Sequence, residues 1–446
     1  MQDSIKKSNI YDVIGIGIGP FNLGFAALAE EVPEIDALFF EKKPQFDWHP
    51  GMMIEGTTLQ VPFLADLVSM ADVTNRYSFL NYLQEKNRLY RFYFREDFHI
   101  PRKEYNHYCR WVTEQLDNCQ FHANVKQVEL QTLDGEDVYE IVVEDVRTKE
   151  EDCYYGRHIL MGIGTVPAVP EQLQEALGEK VFHTADYLYK KNICKGAEKV
   201  AVIGSGQSAA EVFLDLLEDQ PDHGYSLDWY TRSKGFFPME YSKLGLEHFS
   251  PDYTSFFYQL AQEKKDKLLG EQDLLYKGIS ADTISDIYEL LYQRSVGEEE
   301  PDIHLQAMSA IKQIKPVGEQ WRLYGCQLVS EEEFLVETDV VILGTGYKPT
   351  FPEFLMPIHD LIIWDSQGRF SVSEDYKLSM DGIYNNHIFI QNGEIHTHGV
   401  GAPDLGLGAH RNAVIINFLA GRDVYPVSQV NVYQSFGTRR QPAFSQ

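Results

Sequence analysis

Apolar and polar positions near the start of the chain follow the pattern of a buried strand, a glycine turn and a helix. Residues 11–16 are mostly apolar, as in a strand of a parallel sheet that helices cover on both faces. Glycines stand at alternate positions in and after this run, at Gly15, Gly17 and Gly19. Residues 21–31, FNLGFAALAEE, then have helical spacing, and residues 37–41, ALFFE, predict a second strand that ends at Glu41.

The same pattern recurs in the middle of the chain. Residues 198–212, EKVAVIGSGQSAAEV, predict a strand, a turn at Gly204 and Gly206, and a helix, with Ala209 in place of the third glycine. A further apolar strand lies within residues 336–349. It is followed by a short glycine segment: Gly344, Thr345, Gly346 and Tyr347. The pattern predicts an α/β fold with two Rossmann-like dinucleotide-binding domains.

The residues around each turn predict which nucleotide binds there. The free N–H groups at the start of a helix can face a pyrophosphate. The residues that begin the two helices are candidate cofactor contacts: Pro20, Gln207 and Ser208. Glu41 can accept a hydrogen bond from a ribose 2′-hydroxyl, whereas Arg232, with Lys234 nearby, can pair with a 2′-phosphate. The first turn should therefore hold FAD and the second NADPH; the alternative for Arg232 is a solvated loop charge.

The uncharged run at residues 13–29 also resembles two kinds of targeting segment, a secretory signal and a membrane anchor. It follows Lys6 and Lys7 and is 17 residues long, slightly short of a bilayer span. Its glycines and Pro20 do not suit the compact apolar helix of either kind of segment. The sequence therefore favours the nucleotide turn.

The net charge and the cysteine content limit the kinds of binding partner and the cellular compartment that the sequence favours. The chain has 446 residues and a formal net charge of −28, so it repels nucleic acid phosphates. Its five cysteines are dispersed without a C-x-x-C pair, which fits a reducing cytoplasm and argues against zinc or dithiol chemistry. A disulfide reductase, which would share both glycine turns, is disfavoured for the same reason.

Longer motifs carry a resemblance to a known family. They are GIGPFNLG (17–24), WHPGMMIEG (48–56), LQVPFLADLVSMADVTNRYSFLNYL (59–83), PRKEYNHYCRW (101–111), GSGQSAAE (204–211), EHFSPDY (247–253), GTGY (344–347) and LGLGAHRNAVIIN (405–417). With these motifs the chain resembles the flavin-dependent N-hydroxylating monooxygenases of siderophore synthesis, such as lysine N6- and ornithine N5-hydroxylases. The resemblance covers most of the chain.

The resemblance implies the reaction and part of the site. Enzymes of this kind reduce FAD with NADPH, form a C4a-hydroperoxyflavin with O2, and transfer its distal oxygen to a neutral amine. Gln60, Trp48 and Met52 match positions beside the flavin and the substrate, with Gln60 as the catalytic candidate. For Trp48 and Met52 the alternative is ordinary core packing. Oligomers are common in the family, so a homo-oligomer stays open.

Three differences separate this chain from the amino-acid hydroxylases. Ala65 stands where the family has a lysine that grips the substrate carboxylate, Leu246 stands at the place of an asparagine, and a second asparagine has no counterpart in residues 276–284. These changes predict a substrate without a carboxylate, a diamine such as putrescine or cadaverine. Its far ammonium needs an acceptor, for which Asp404 or Glu247 is the candidate, although Asp404 also suits a turn residue. The alternatives are L-lysine, L-ornithine or histamine as substrate, or a flavin-binding redox sensor.

The domain organisation follows from the order of the motifs. Residues 1–170 and 346–446 are expected to form a discontinuous FAD domain, and residues 171–245 and 305–345 an NADPH domain. Residues 246–304 have helical spacing and are expected to form a small helical lobe over the substrate.

Histidines near the C-terminus raise the alternative of a metal site. His396 and His398 would project from one face of a strand, with His410 and Glu394 nearby. The surrounding segment resembles the flavin-closing region of the family, so the sequence predicts no metal.

Overall fold

The structure is a computed structural model that describes residues 10–297, 301–382, 384–428 and 430–438. Lys6 and Lys7, which precede the uncharged run, lie outside the described residues, as do the outermost parts of the predicted FAD segments.

The chain alternates strands and helices over most of its length. The strands are β1 (Ile10–Ile16), β2 (Ala37–Glu41), β3 (Thr58–Pro62), β4 (His99–Pro101), β5 (Cys119–Phe121), β6 (Ala123–Leu133), β7 (Glu136–Asp145), β8 (Glu151–Met161), β9 (Val166–Pro167), β10 (Val181–His183), β11 (Lys199–Ile203), β12 (Ser226–Tyr230), β13 (Ile303–Gln306), β14 (Ser309–Val317), β15 (Gln320–Gln327), β16 (Glu333–Thr338), β17 (Val340–Leu343), β18 (Tyr347–Lys348) and β19 (Ile388–Ile390).

The helices are α1 (Pro20–Ala29), α2 (Phe79–Glu85), α3 (Leu89–Arg95), α4 (Arg102–Thr113), α5 (Glu171–Gln174), α6 (Tyr187–Cys194), α7 (Gln207–His223), α8 (Lys243–Leu246), α9 (Pro251–Tyr258), α10 (Gln262–Glu271), α11 (Asp273–Tyr276), α12 (Ala281–Arg294), α13 (Ile395–His398) and α14 (Gly408–Ala420). The described residues also form five 3₁₀ turns: Pro50–Met52, Thr184–Asp186, Glu247–Phe249, Glu353–Leu361 and Leu405–Leu407.

The first sheet places the N-terminal glycine turn at the carboxyl ends of parallel strands. Its parallel part has the order β5-β2-β1-β8-β19, and β8 also continues into an antiparallel meander with β7 and β6. β1 ends in four buried residues, and every residue of α1 is buried. The strand–turn–helix prediction for this segment is therefore confirmed.

The second sheet repeats this arrangement. Its five strands are all parallel in the order β10-β17-β11-β12-β13, and α7 begins at the turn that follows β11. A separate antiparallel sheet is formed by β14, β15 and β16. Helices α8 to α12 fill residues 243–294 between β12 and β13. The α/β prediction with two Rossmann-like units and a helical insertion is confirmed.

The apolar run at residues 13–29 forms most of β1, the glycine turn and α1, which identifies it as part of the first sheet unit. Within the described ranges, no helix combines the length and the apolar composition needed to cross a bilayer.

The two sheets are joined where the 3₁₀ turn Pro50–Met52 packs against the 3₁₀ turn Thr184–Asp186. A Cβ atom at Gly51 would lie 1.8 Å from the carbonyl oxygen of Ala185 and 2.8 Å from its carbon. Beside it, Met52 is 3% exposed and packs in a core with Phe182 and Tyr187. The joint therefore requires a residue without a side chain at position 51.

We expect Gly51→Ala to destabilise the protein by about 1–3 kcal/mol, because backbone atoms cannot yield as a flexible side chain can. Thermal unfolding measures the effect. Gly178→Ala is the matched control, since a Cβ atom there meets no heavy atom within 4 Å. Equal midpoints for the two variants would contradict the tight joint.

Candidate active site and nucleotide loops

In the first glycine loop, Gly17 packs tightly against the backbone of a neighbouring strand end, whereas the surroundings of Gly19 are open. Gly17 has a φ of +87°, and a Cβ atom there would lie 2.6 Å from the carbonyl oxygen of Gly162, which follows β8. Gly19 caps α1 without a side-chain hydrogen bond, and its Cβ position has only the Gly162 oxygen nearby, at 3.9 Å. The N-terminus of α1 is therefore accessible to an anion.

Gly15 lies closer to the core than the other two glycines of the first turn. It lies inside β1, and a Cβ atom there would be 2.0 Å from the ring of Phe39 in β2. Its missing side chain admits Phe39 to the core, so packing alone requires glycine here, and a contact with the nucleotide stays a prediction.

Glu41 lies where the sequence predicts a ribose partner. Its carboxylate accepts hydrogen bonds from the amides of Ile18 and Lys43, both at 3.0 Å. The acid is thus held against the glycine loop at the ends of β1 and β2.

Buried polar atoms beside this loop fit a bound dinucleotide. Asn22 ties the loop together by donating from Nδ2 to the carbonyl oxygens of Gly17 at 2.8 Å and Leu160 at 3.1 Å. Gln391 donates to Asn22, and Asn412 donates to the carbonyl of Phe21. Their own oxygens, Gln391 Oε1 and Asn412 Oδ1, are buried without a hydrogen-bond partner among the described residues. These acceptors and the uncapped helix fit FAD.

The second glycine loop is built in the same way. Gly204 has a φ of +134°, and its Cβ position is 2.1 Å from the carbonyl oxygen of Gly344, which follows β17. A Cβ atom at Gly344 would in turn lie 2.5 Å from the Cβ atom of Ala209. Gly206 caps α7 and has open surroundings, with the Lys277 carbonyl oxygen at 3.7 Å. The two predicted glycine segments therefore meet at one site.

Hydroxyl and basic groups lie together at the edge of this second loop. The hydroxyls of Ser205 and Ser233 are 2.8 Å apart, and Ser233 stands between Arg232 and Lys234, which are exposed. Ser208, the second residue of α7, is half-buried. Exposed cations beside hydroxyls suit a phosphate group, which fits NADPH.

The side chain of Gln207, a residue predicted to contact the nucleotide, forms hydrogen bonds within the protein, and the contact with the nucleotide stays a prediction. Its Nε2 donates to Glu211 Oε1 at 2.8 Å and to Thr283 Oγ1 at 3.1 Å. Its Oε1 accepts from the amide of Ser280 at 2.7 Å. The side chain joins α7 to α12, and both of its polar atoms are used within the protein.

Aromatic and imidazole side chains line the joint between the two loops. The Trp48 ring lies 5.4 Å from that of Tyr105. The Tyr347 ring lies 5.6 Å from His49 and 5.1 Å from His183. Desolvation by the surrounding protein lowers the pKa of His49 to about 4, so its imidazole is neutral at pH 7.

Of the three predicted flavin neighbours, Met52 belongs to the core described above, and its contact with the flavin stays a prediction. Gln60 lies in β3 and is half-buried, and among the described residues its amide makes only a 3.4 Å hydrogen bond, to the carbonyl of Thr58. The Gln60 amide is therefore available to a ligand.

The structure brings Ala65 and Asp404 to the same place. A Cβ atom at Gly406 would lie 2.8 Å from Asp404 Oδ1 and 3.8 Å from the Ala65 Cβ. Asp404 Oδ1 accepts from the amide of Gly406 at 2.7 Å. Burial raises the pKa of Asp404 to about 6, against the opposing effects of that amide and of Arg411.

Tyr241, which sequence reasoning missed, also lies near this carboxylate. Burial, and after it the charge of Asp404, raise the pKa of its phenol. The sequence offers no signal for it, because 163 positions separate the two residues in the chain.

Glu247, the other proposed anchor for an ammonium, is occupied. Its two carboxylate oxygens accept from the amides of Tyr433 and Gln434, each at 3.0 Å. It therefore fastens the C-terminal segment to the helical region. Leu246 is 42% exposed.

A buried ion pair that the sequence did not reveal supports the loop before α14. Arg411 and Glu394 approach to 3.0 Å with almost no exposure of either side chain. The guanidinium carbon lies 4.9 Å from the ring centroid of Phe21 and 5.3 Å from that of Tyr376. Burial raises the pKa of Glu394, and the Arg411 charge opposes this rise.

The histidine segment differs from its predicted strand form. His396 and His398 lie in the short helix α13, where their rings contact the carbonyl oxygens of Phe370 and Glu374. Burial lowers the pKa of His398 to about 3. Over the described part of the chain, no three His, Cys, Asp or Glu side chains group as metal ligands.

Comparison with known proteins agrees with this geometry. A family model described as L-lysine 6-monooxygenase/L-ornithine 5-monooxygenase matches residues 9–349. The chain is 43% identical over 445 residues to putrescine N-hydroxylase of Shewanella oneidensis, covering 97% of this chain and 86% of that protein.

Two solved structures are similar over nearly the whole chain. The FAD-bound cadaverine monooxygenase DfoA, of the desferrioxamine biosynthetic pathway of Erwinia amylovora, has a TM-score of 0.93 at 38% identity, covering 97% of this chain and 100% of that chain. The ornithine N-hydroxylase KtzI of Kutzneria sp. 744, with reduced FAD, NADP+ and L-ornithine, has a TM-score of 0.85 at 26% identity, covering 92% and 99%.

We expect Glu394→Gln to destabilise the protein by about 3–5 kcal/mol, because it leaves the Arg411 guanidinium buried without a counter-charge. The midpoint of chemical denaturation measures the loss. Glu34→Gln is the control, since Glu34 pairs with Arg422 on the exposed surface and its loss should not move the midpoint. An unchanged midpoint for Glu394→Gln would contradict the role of the buried pair.

Proposed function

Because the chain belongs to the L-lysine 6-monooxygenase/L-ornithine 5-monooxygenase family, we propose that it N-hydroxylates a diamine, putrescine or cadaverine, with NADPH and O2. The product would enter the synthesis of a hydroxamate siderophore. The observation that carries the proposal is that Ala65 and Asp404 both lie beside Gly406, so that this place has a carboxylate but no positive group at position 65.

The charge at this place decides between an amino acid and a diamine. Ala65 offers no positive group to a substrate carboxylate. The Asp404 carboxylate can accept a hydrogen bond from an ammonium and stabilise its charge. A diamine meets both conditions, since its far end carries an ammonium alone, whereas lysine and ornithine carry an α-carboxylate beside their α-ammonium.

Each of the two glycine loops binds one of the two cofactors in this proposal. We assign FAD to the loop of Gly17, Gly19 and Glu41, and NADPH to the loop of Gly204, Gly206 and Arg232. FAD, once reduced by NADPH, supplies the activated oxygen for the reaction. The protein has to hold the reacting amine near Gln60, exclude water and favour loss of the amine's proton, whose ordinary pKa is about 10.4. Buried apolar surroundings favour the neutral amine.

The division of the chain follows from this assignment. We propose an FAD domain of residues 1–170 and 346–446, an NADPH domain of residues 171–245 and 305–345, and a helical substrate lobe of residues 246–304. We further propose that the protein works in the cytoplasm, in keeping with its dispersed free cysteines. Sedimentation velocity would determine whether copies of the chain associate.

Turnover on a panel of amines tests the proposal. We expect putrescine or cadaverine to give hydroxylamine with a kcat/KM about 100-fold above those of L-lysine, L-ornithine and histamine, a difference of about 3 kcal/mol. The α-carboxylate of an amino acid would find no cation at Ala65 and would be repelled by Asp404, and the imidazole of histamine is not an ammonium. Preference for an amino acid would overturn the argument from Ala65. NADPH oxidation without any hydroxylamine would favour a flavin-binding redox sensor.

We expect Asp404→Asn to raise the KM for the diamine about 10- to 100-fold, because a hydrogen bond to a charged group is lost. A monoamine of the same length lacks the second ammonium, so its KM should not respond. Asp381→Asn is the matched control variant, because Asp381 is exposed and lies outside the place where Ala65 and Asp404 come together.

The pH dependence follows from the raised pKa of Asp404. With a pKa of about 6, the carboxylate is charged above that pH and neutral below it. The diamine KM of the unmodified protein should therefore rise as the pH falls through about 6, and Asp404→Asn should remove this dependence. A KM independent of pH in the unmodified protein would exclude Asp404 as the acceptor.

A further inference from the structure

A largely buried, bidentate ion pair connects the elements around the two nucleotide loops. Arg102, the first residue of α4, donates from Nη1 and Nη2 to the two carboxylate oxygens of Glu211 in α7, each at 2.7 Å. The side chains are 14% and 3% exposed. The two residues lie 109 positions apart in sequence, so the pair fixes the first sheet unit against the second.

The pair continues into the helical region through Gln207. Glu211 Oε1 also accepts from Gln207, whose own oxygen accepts from the amide of Ser280. Ser280 caps α12 by accepting from the amide of Thr283 at 3.1 Å. One hydrogen-bonded chain therefore runs from α4 through α7 to α12.

Two residues of this hydrogen-bonded series, Gln207 and Arg102, lie beside the candidate site. Gln207 directly follows Gly206 at the N-terminus of α7, where a nucleotide pyrophosphate would bind. Arg102 donates its amide to the carbonyl of Thr57 at 3.0 Å, immediately before the strand that carries Gln60. The charge of Arg102 also contributes to the lowered pKa of His49.

Stability alone is a weak reason for such a pair. Burial raises the pKa of Glu211, and the Arg102 charge only opposes that rise. Buried ion pairs are often no more stabilising than apolar side chains of the same volume. A planar guanidinium held by two hydrogen bonds does fix direction and distance, which apolar contacts do not.

We propose that Arg102 and Glu211 are positioning residues that set the distance between NADPH on the second loop and FAD on the first. This inference rests on the proposed function. In the step concerned, NADPH is oxidised to NADP+ by loss of a hydride, and FAD gains that hydride and one proton to become FADH2. A displacement of about 1 Å can slow such a transfer about 100-fold.

Anaerobic reduction of the FAD-loaded enzyme by NADPH, followed by stopped-flow absorbance, is the first measurement. We expect the paired variant Arg102→Met with Glu211→Met to reduce about 10- to 100-fold more slowly at saturating NADPH. The dissociation constant of NADPH and the reduction by dithionite should stay near those of the unmodified enzyme. Making both substitutions together replaces the ion pair with two apolar side chains and leaves neither charge buried without its partner, which protects folding.

Lys191→Met is the control for general destabilisation. Lys191 pairs with Asp215 and Asp219 between α6 and α7, within the second sheet unit. Its loss should lower the unfolding midpoint without changing the rate of flavin reduction. If it slows reduction as much as the paired variant, the positioning role is overturned.

Hydrogen exchange of the cofactor-free chain gives a readout that does not depend on activity. In the paired variant we expect faster exchange in peptides that contain Ser280 and Arg102, whose amides belong to the connection. Unchanged exchange and an unchanged reduction rate would overturn the inference alone. An unmodified enzyme that NADPH fails to reduce would instead overturn the proposed function.

Discussion

The architecture depends on a backbone contact that only glycine permits, and the chain makes this contact twice. In the first unit the glycine turn after β1 meets the glycine that follows β8, with Gly17 against Gly162. In the second unit the turn after β11 meets the glycine that follows β17, with Gly204 against Gly344. In each unit a neighbouring parallel strand ends against the loop, so the start of the next helix is left facing open space. The two nucleotide loops are one physical device used twice.

In the function proposed for this protein, recognition of the substrate depends on the charge of the Asp404 side chain. A protein with a net charge of −28 already attracts cations over long distances. At the site itself, Ala65 carries no positive charge, and Asp404 provides a carboxylate whose pKa of about 6 keeps it charged at neutral pH. The long-range field and the local site therefore favour the same class of molecule, a small polycation, and disfavour an amino acid that brings its own carboxylate.

Features that depend on neighbours in sequence were predictable, and features that depend on distant contacts were not. Apolar runs ended by glycine identified both sheet units, because burial on two faces leaves a direct mark on composition. The packing of Gly15 on Phe39 and the engagement of Glu247 by the C-terminal segment left no such mark. The helical form of His396 and His398 was missed because a four-residue element has no measurable period.

Two buried arginine–carboxylate connections each lie beside a helix that starts at a nucleotide loop. Arg102 holds Glu211 one turn after the start of α7, and Arg411 pairs with Glu394 over the ring of Phe21, the second residue of α1. Buried charges lose their hydration, so their retention at two equivalent places is poorly explained by stability. For Arg102 and Glu211, fixed direction is the better explanation, because two nucleotides that react with each other must be held by rigid supports, and a bidentate ion pair is among the stiffest contacts that side chains form. The Arg411–Glu394 pair acts through charge alone, since its closest atoms, 3.0 Å apart, do not form a hydrogen bond.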